Sequence, residues 1–192
     1  MIQHNKQCKC FIWDTEATGI YSVNDDSWVV NSVRSAGRYE ITGEVVNYVE
    51  KLSLWEKAKL TTWLIEQRKK GDPSPKVSVS VICSAVENEE MKHSERINCL
   101  LDYLHNIEDT ESNVRDWMGQ NGSHHRLEMM ARTESVFLLD LFILINKVKK
   151  SGLVDDALRV TLSGKENLSE ENNQSLIGSK VEKRSAMSMG LN

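Results

Sequence analysis

No run of apolar residues in this chain is long enough to cross a bilayer. The longest, Val136 to Val148, is interrupted by Asp140, Asn146 and Lys147, whereas a spanning helix needs about 20 consecutive apolar residues. The stretch is expected to be a buried helix, and no membrane partner is expected. An excess of positive charge is missing as well: 24 Lys and Arg stand against 28 Asp and Glu, for a net charge of -4 and a pI near 5.8. Nothing therefore draws the whole chain to phosphate, and a nucleic-acid contact has to be local. The four cysteines, Cys8, Cys10, Cys83 and Cys99, lack the spacing of a disulfide scaffold. No basic segment followed by an apolar run opens the chain, so a reducing cytoplasm is the expected location. Catalytic signatures are absent too. There is no Gly-rich phosphate loop, no G-x-S-x-G elbow, no H-E-x-x-H and no carboxylate dyad on defined elements, so the chain reads as not an enzyme, with no catalytic residue and no cofactor.

What is present suffices for a packed core: 192 residues with 40% apolar content hold one ordinary domain or two small ones. Residues 1–43 pattern as short strands and turns, with strands at Cys10 to Trp13, Trp28 to Val30 and Arg38 to Thr42. Gly19, Asn24, Asp25, Asp26 and Gly37 are the turn formers. Helical spacing begins with Val45, Val49 and Leu52. Ser53 and Glu56 then form a capping-box pair ahead of a second helix carrying Leu60, Trp63 and Leu64 on one face. Lys69, Lys70, Gly71, Pro73 and Pro75 end that helix, and residues 71–76 are the expected boundary.

Beyond it, Lys76 to Val86 reads as a strand or a short helix, and the alternation of Val77, Val79 and Val81 favours the strand slightly. Ser94 is placed to cap a helix whose Ile97, Leu100, Leu101, Leu104 and Ile107 make one buried stripe. Asp109 to His125 is polar, with a short helix around Val114 to Met118. Thr133 is placed to cap a long helix, Glu134 to Lys150, apolar on nearly every side and so central to the core. Ser151 and Gly152 end it, Leu158, Val160 and Leu162 alternate as in a strand, and Ser163 with Glu166 makes a capping box for a last helix. Helix, hairpin, helix is the order of a winged helix. The expected fold is α+β and mainly helical. Residues 1–72 form a small N-terminal β knuckle with two helices, 77–177 a helical winged-helix-like domain, and 178–192 a loose tail or the start of a missing C-terminal domain.

The Cys8-Lys9-Cys10 pair near His4 has zinc-ligand chemistry, but a structural site takes four ligands, commonly from two such pairs, and no second pair occurs before Cys83. Half-buried thiols beside strands are the expectation, with no metal ligand assigned. His124 and His125 read as a solvated loop, and His93 as a helix start beside Glu89 and Glu90. The five tryptophans (Trp13, Trp28, Trp55, Trp63, Trp117) suit core packing better than base stacking. In the winged-helix-like segment Arg159 and Lys165 are the possible nucleic-acid contacts. Asp155, Asp156, Glu166, Glu170 and Glu171 surround them and would repel phosphate.

Several segments together resemble the N-terminal region of bacterial defence-type multidomain proteins. Cys10-Phe11-Ile12-Trp13-Asp14-Thr15-Glu16-Ala17 is similar to their C-x-x-C-G-T-x-A opening. Ser32-Val33-Arg34-Ser35-Ala36-Gly37-Arg38-Tyr39 is similar to S-P-R-A-G-G-x-Y. The resemblance continues through Glu56 to Leu64 with Gln67, Gly71 and Pro75, through Glu95 to Leu104, and in Leu162-Ser163-Gly164-Lys165, like an L-T-x-x-G turn. It implies a zinc-ribbon-like knuckle, degenerate here because Trp13 stands where the family has its second cysteine, then a winged-helix-like segment. It further implies a C-terminal TIR-like or nucleoside-processing domain, of which Ser185 to Gly190 resembles the opening strand, the rest being absent from this sequence. The implied function is that of a non-catalytic sensor or scaffold module of an antiphage-type system, coupling a protein or nucleic-acid partner to an effector domain. The alternative is a small winged-helix DNA-binding transcriptional regulator. A homo-oligomer is compatible with either.

Overall fold

The computed structural model describes residues 6–107 and 123–168. Its first half is a five-stranded sheet in the order β1-β2-β3-β4-β5, with β1 (Lys6–Lys9), β2 (Glu16–Ser22), β3 (Ser27–Ser32) and β4 (Gly37–Thr42) antiparallel and the short β5 (Lys76–Val77) parallel to β4. The segment expected as a first strand, Cys10 to Trp13, is instead the turn between β1 and β2. There the Cys10 N–H donates to Thr15 O and the Asp14 N–H to Cys10 O, each at 2.8 Å. Asp14 takes a left-handed φ of 54°, which a short polar side chain tolerates. Gly19 is no turn former either. It sits buried within β2, where a Cβ would lie 3.0 Å from Cys8 Sγ, so its missing side chain lets Cys8 and Trp28 close over the strand.

One face of the sheet is covered by α1 (Gly43–Glu50), α2 (Leu54–Lys69) and α3 (Val79–Glu87). Ile12, Val30, Tyr39, Ile41, Val49, Leu60 and Leu64 are fully buried between them. α2 starts as its capping box dictates, with Ser53 Oγ accepting the Glu56 N–H and Glu56 Oε2 accepting the Ser53 N–H at 2.7 Å. It stops at Lys70, and Gly71 follows with φ +102°. The strand expected over Lys76 to Val86 shrinks to β5. Ser78 Oγ accepts the Val81 N–H and starts α3, which buries Ile82 and Ala85. Val77 of β5 and all of α3 follow residues 71–76 yet pack into this first core.

A second core lies beyond Asn88, built by α4 (His93–Ile107), α5 (Ser123–Arg132) and α6 (Leu138–Lys150) around Leu100, Leu101, Leu104, Met129, Leu141 and Leu144. The stripe of α4 is as expected, but the helix begins at His93, before Ser94. α5 stands where a polar loop was expected to reach His125. Thr133 does not open a helix: its hydroxyl donates to Met129 O at 2.7 Å and closes α5. α6 begins only at Leu138, just after Asp140 Oδ2 has accepted the Phe137 N–H at 2.9 Å. Only one face of α6 is buried, through Leu141, Leu144, Ile145 and Val148, so the helix borders the core rather than filling it. The expected strand at Leu158, Val160 and Leu162 reduces to a single Val154–Val160 bridge closing a turn. Leu162 is 78% exposed at the start of a helix over residues 162–168, capped by Thr161 rather than Ser163. The expected helix at Val114 to Met118, Trp117 and the tail from Gly178 lie outside the described residues. The fold is α+β, and among the described residues no helix is long and apolar enough to cross a membrane.

Candidate functional site

A cleft of about 500 Å³ opens between α2, the Asn88 to Lys92 link and α4. Trp63, Met91 and Cys99 supply its apolar lining, Lys69 and Glu66 stand on the α2 side, and Glu134 lies among its lining residues beside the last residue of α5. Glu134 is only 7% exposed and takes a left-handed φ of 49°, a conformation that costs a non-glycine residue roughly 1–3 kcal/mol. Two hydrogen bonds hold it there. Oε1 accepts the Thr62 hydroxyl at 2.7 Å and Oε2 the Met91 N–H at 2.8 Å, so one carboxylate ties α2 to the link that enters α4.

The residues on either side of Glu134 are gripped by arginines. Arg34, from the 3-10 turn Val33–Ser35 between β3 and β4, donates through Nη2 to Ser135 O at 2.6 Å and lies 3.9 Å from the centre of the Trp13 ring. Trp13 is fixed in turn by its indole N–H, which donates to Thr61 Oγ1 at 2.8 Å. Arg96 of α4 donates through Nε to Thr133 O at 2.8 Å and through Nη2 to Ser135 Oγ at 3.1 Å. Arg34 is 3% exposed. Burial pulls its pKa down to about 10, against a smaller upward pull from Cys10, so it stays charged at neutral pH. Arg68 backs the same turn, donating to Ser35 O at 2.6 Å and Arg38 O at 2.8 Å, and burial with nearby Arg132 lowers its pKa also to about 10. The segment Thr133 to Ser135 is thus a polar clamp between the sheet-side core and the helical core.

Burial raises the pKa of the Cys99 thiol, and a protonated thiol is a poor nucleophile. Lys59 donates to Val86 O at 3.1 Å, and Arg132 is paired with Glu128 at 2.7 Å. Met91, Trp63 and Lys69 present apolar and cationic surface to the cleft.

The residues singled out from the sequence fall elsewhere. Arg159 is exposed in the turn after α6, its Nε 2.9 Å from Asp155 Oδ2; Lys165 is exposed on the helix over residues 162–168; neither lines the cleft. Cys8 is half-buried and Cys10 buried, with Cys10 Sγ 3.3 Å from Ser35 Oγ and 3.4 Å from Tyr39 OH. Among the described residues no group of three or more His, Cys, Asp or Glu is placed to hold a metal ion. His125 is not in a solvated loop: it lies in α5, with Nδ1 2.7 Å from Tyr103 OH. Trp13, Trp28 and Trp63 are half-buried, whereas Trp55 is 45% exposed. Sequence reasoning missed Arg34, Arg96 and Glu134 because each lies in a segment read for another purpose. The one local signal was a charged residue, Arg34, between small residues that proved buried. Compared with protein-family models, with curated proteins and with solved structures, the chain matches none of them.

Proposed function

We propose that this chain is a non-catalytic binding module of a bacterial antiphage-type system, which takes a protein or nucleic-acid partner and passes the event to an effector domain of TIR-like kind. The observation that carries the reading is the clamp: Glu134 lines the cleft and at the same time fastens α2 to the helical core. Occupancy of the cleft beside Met91 or Thr62 bears directly on the segment that sets how the two cores sit, and such a linkage is what a sensor needs. In this reading the second half is winged-helix-like, with α6, the Val154–Val160 turn and the helix over residues 162–168 as helix, wing and helix. The wing serves protein contact, since Arg159 is engaged by Asp155.

The test is a fusion of the chain to a TIR-like NAD-cleaving domain, with NAD followed in phage-challenged cells. NAD loss that depends on the chain and disappears in Arg34→Met is the expected result. Loss that is indifferent to Arg34, or NAD turnover by the chain alone, sinks the proposal. The rival, a winged-helix DNA-binding regulator, is favoured by the exposure of Arg159 and Lys165. It requires duplex binding that weakens steeply with salt and collapses in Arg159→Ala.

A further inference from the structure

Among the described residues nothing covers the outward face of α6, which is apolar. Leu139 is 66% and Ile143 58% exposed, one helical turn apart, with Phe137 at 54% and Leu138 at 39% beside the helix start. The buried residues Leu141, Leu144, Ile145 and Val148 occupy the opposite side, so the stripe cannot turn inward without unpacking the core. Contiguous exposed apolar surface on a helix marks a contact site more often than chance.

The charges bordering this stripe indicate what covers it. Asp140 and Lys147 lie seven residues apart, on one flank of the line through Leu139 and Ile143. Asp140 uses Oδ2 to accept the Phe137 N–H, which leaves Oδ1 to accept from elsewhere. Lys147 is exposed, and among the described residues it has no acidic partner. It lies instead near His93, whose pKa is lowered by partial burial and then by Lys147 and Arg96. One helix end thus carries an under-used carboxylate and the other an unpaired ammonium. We infer that α6 pairs with α6 of a second copy of this chain, antiparallel about a two-fold axis passing next to Ile143. In that register Asp140 of each copy meets Lys147 of the other, so the ion pair forms twice. Ile143 packs on the second Ile143, and the exposed Phe137 ring comes level with the Lys150 stem. Such an interface is isologous and closes on itself, and the antiparallel arrangement sets opposite helix-dipole ends together.

A helix of 13 residues is about 20 Å long. The contact is therefore at the small end of specific interfaces, and the dimer is weak and concentration-dependent. An acidic amphipathic partner would fit the lysine end but leave Asp140 repelled, which is why a second copy is the better occupant.

Sedimentation equilibrium of the full chain, from low micromolar to several hundred micromolar, reads the association directly. The expected result is a weight-average mass rising toward the dimer, an at least tenfold weaker association in Lys147→Asp, and no association in Ile143→Asp. Both variants should keep the wild-type circular dichroism and melting temperature, since both positions face outward. The charge swap Asp140→Lys with Lys147→Asp, which gives up the bond to the Phe137 N–H, should recover at least part of the dimer provided circular dichroism shows that α6 is retained, and no recovery in a folded swap counts against the register. As a reading independent of affinity, Ile143→Cys in a Cys83→Ser background should form an intermolecular disulfide under mild oxidation, and Asn31→Cys in the same background should not. A wild-type chain that stays monomeric at every concentration overturns the inference, as does a dimer that persists in a folded Ile143→Asp.

Discussion

The buried polar groups of the sheet-side core are bonded mostly within it, leaving, among the described residues, the Thr15, Ser32 and Ser74 hydroxyls without a partner, while the clamp segment beside the helical core takes donors from the sheet side. In the first, the buried Cys10 thiol lies against Ser35 and Tyr39, and Trp13 donates to Thr61, all within residues 10–61. In the second, Thr133 O accepts from Arg96 of α4, but Ser135 O accepts from Arg34, which belongs to the turn between β3 and β4. The helices over the sheet turn most of their apolar residues inward, with Tyr48 of α1 and Leu54 and Trp55 of α2 the exceptions, whereas α6 leaves Leu139 and Ile143 outside as a stripe. The contrast means that the sheet-side unit sets the geometry and the helical unit is held to it by a few directional bonds. A core made of apolar contacts fails gradually with volume and area, but a clamp of hydrogen bonds to one segment is lost as a unit.

The sharpest test of this asymmetry is within α6. Replacing Leu141 by Asp puts a charge without a partner at a site with no exposure and should cost well over about 3 kcal/mol, with loss of the helical core in urea unfolding followed by circular dichroism. Ile143→Asp, two residues away, should leave the monomer fold intact. If the two variants melt alike, α6 is not one-sided and the comparison fails.

A smaller effect is expected at the clamp. Arg34→Met leaves Ser135 O buried without its donor while relieving a buried charge, for a net loss of about 1–3 kcal/mol. The diagnostic result is separation of one unfolding transition into two, with amide hydrogen exchange followed in β3 and β4 for the sheet side and in α4 and α6 for the helical side. A single undisturbed transition would show that apolar contacts alone join the cores. Glu134→Ala should cost about 1–2 kcal/mol by removing two acceptors while retaining the strained backbone. In hydrogen exchange the Met91 amide should lose protection before the amides of α2 do.

The smallest effect is an acid one. Asp155 is held below the ordinary carboxylate range, chiefly by the Arg159 N–H, then by the Arg159 side chain and the Ala157 N–H, against an opposing effect of burial. A depressed carboxylate contributes stability that is fully present above its unfolded value near 3.8 and is lost as pH falls through the lower folded value. The turn after α6 should therefore stay ordered down to that range and loosen only below it, as followed by amide chemical shifts of Arg159. Loosening at pH 5 would place its stability elsewhere.

Where an element's cause lies within a few residues, it was legible. The capping box of Ser53 and Glu56, the stop at Gly71, and the stripe of Leu100, Leu101 and Leu104 needed no distant partner. The alternation of Val77, Val79 and Val81 misled because Ser78 starts a helix locally and Ile82 with Ala85 finds the face of α2 only in three dimensions. α5 was hidden because His124, His125 and Arg126 lead it, and its Met129 is buried by α4 and α6 rather than by anything nearby in the chain.

Local spacing thus determined that the chain is α+β and that α2 and α4 exist. Only the tertiary structure decided that Glu134 ends up left-handed and buried instead of opening a helix, because its hydrogen-bond partners, Thr62 and Met91, are 72 and 43 residues away. The same holds for Arg34, bonded to Ser135 across 101 residues. A charge is read as solvated in any window that omits its partner, and burying it becomes favourable only once the fold has brought that partner within hydrogen-bond reach.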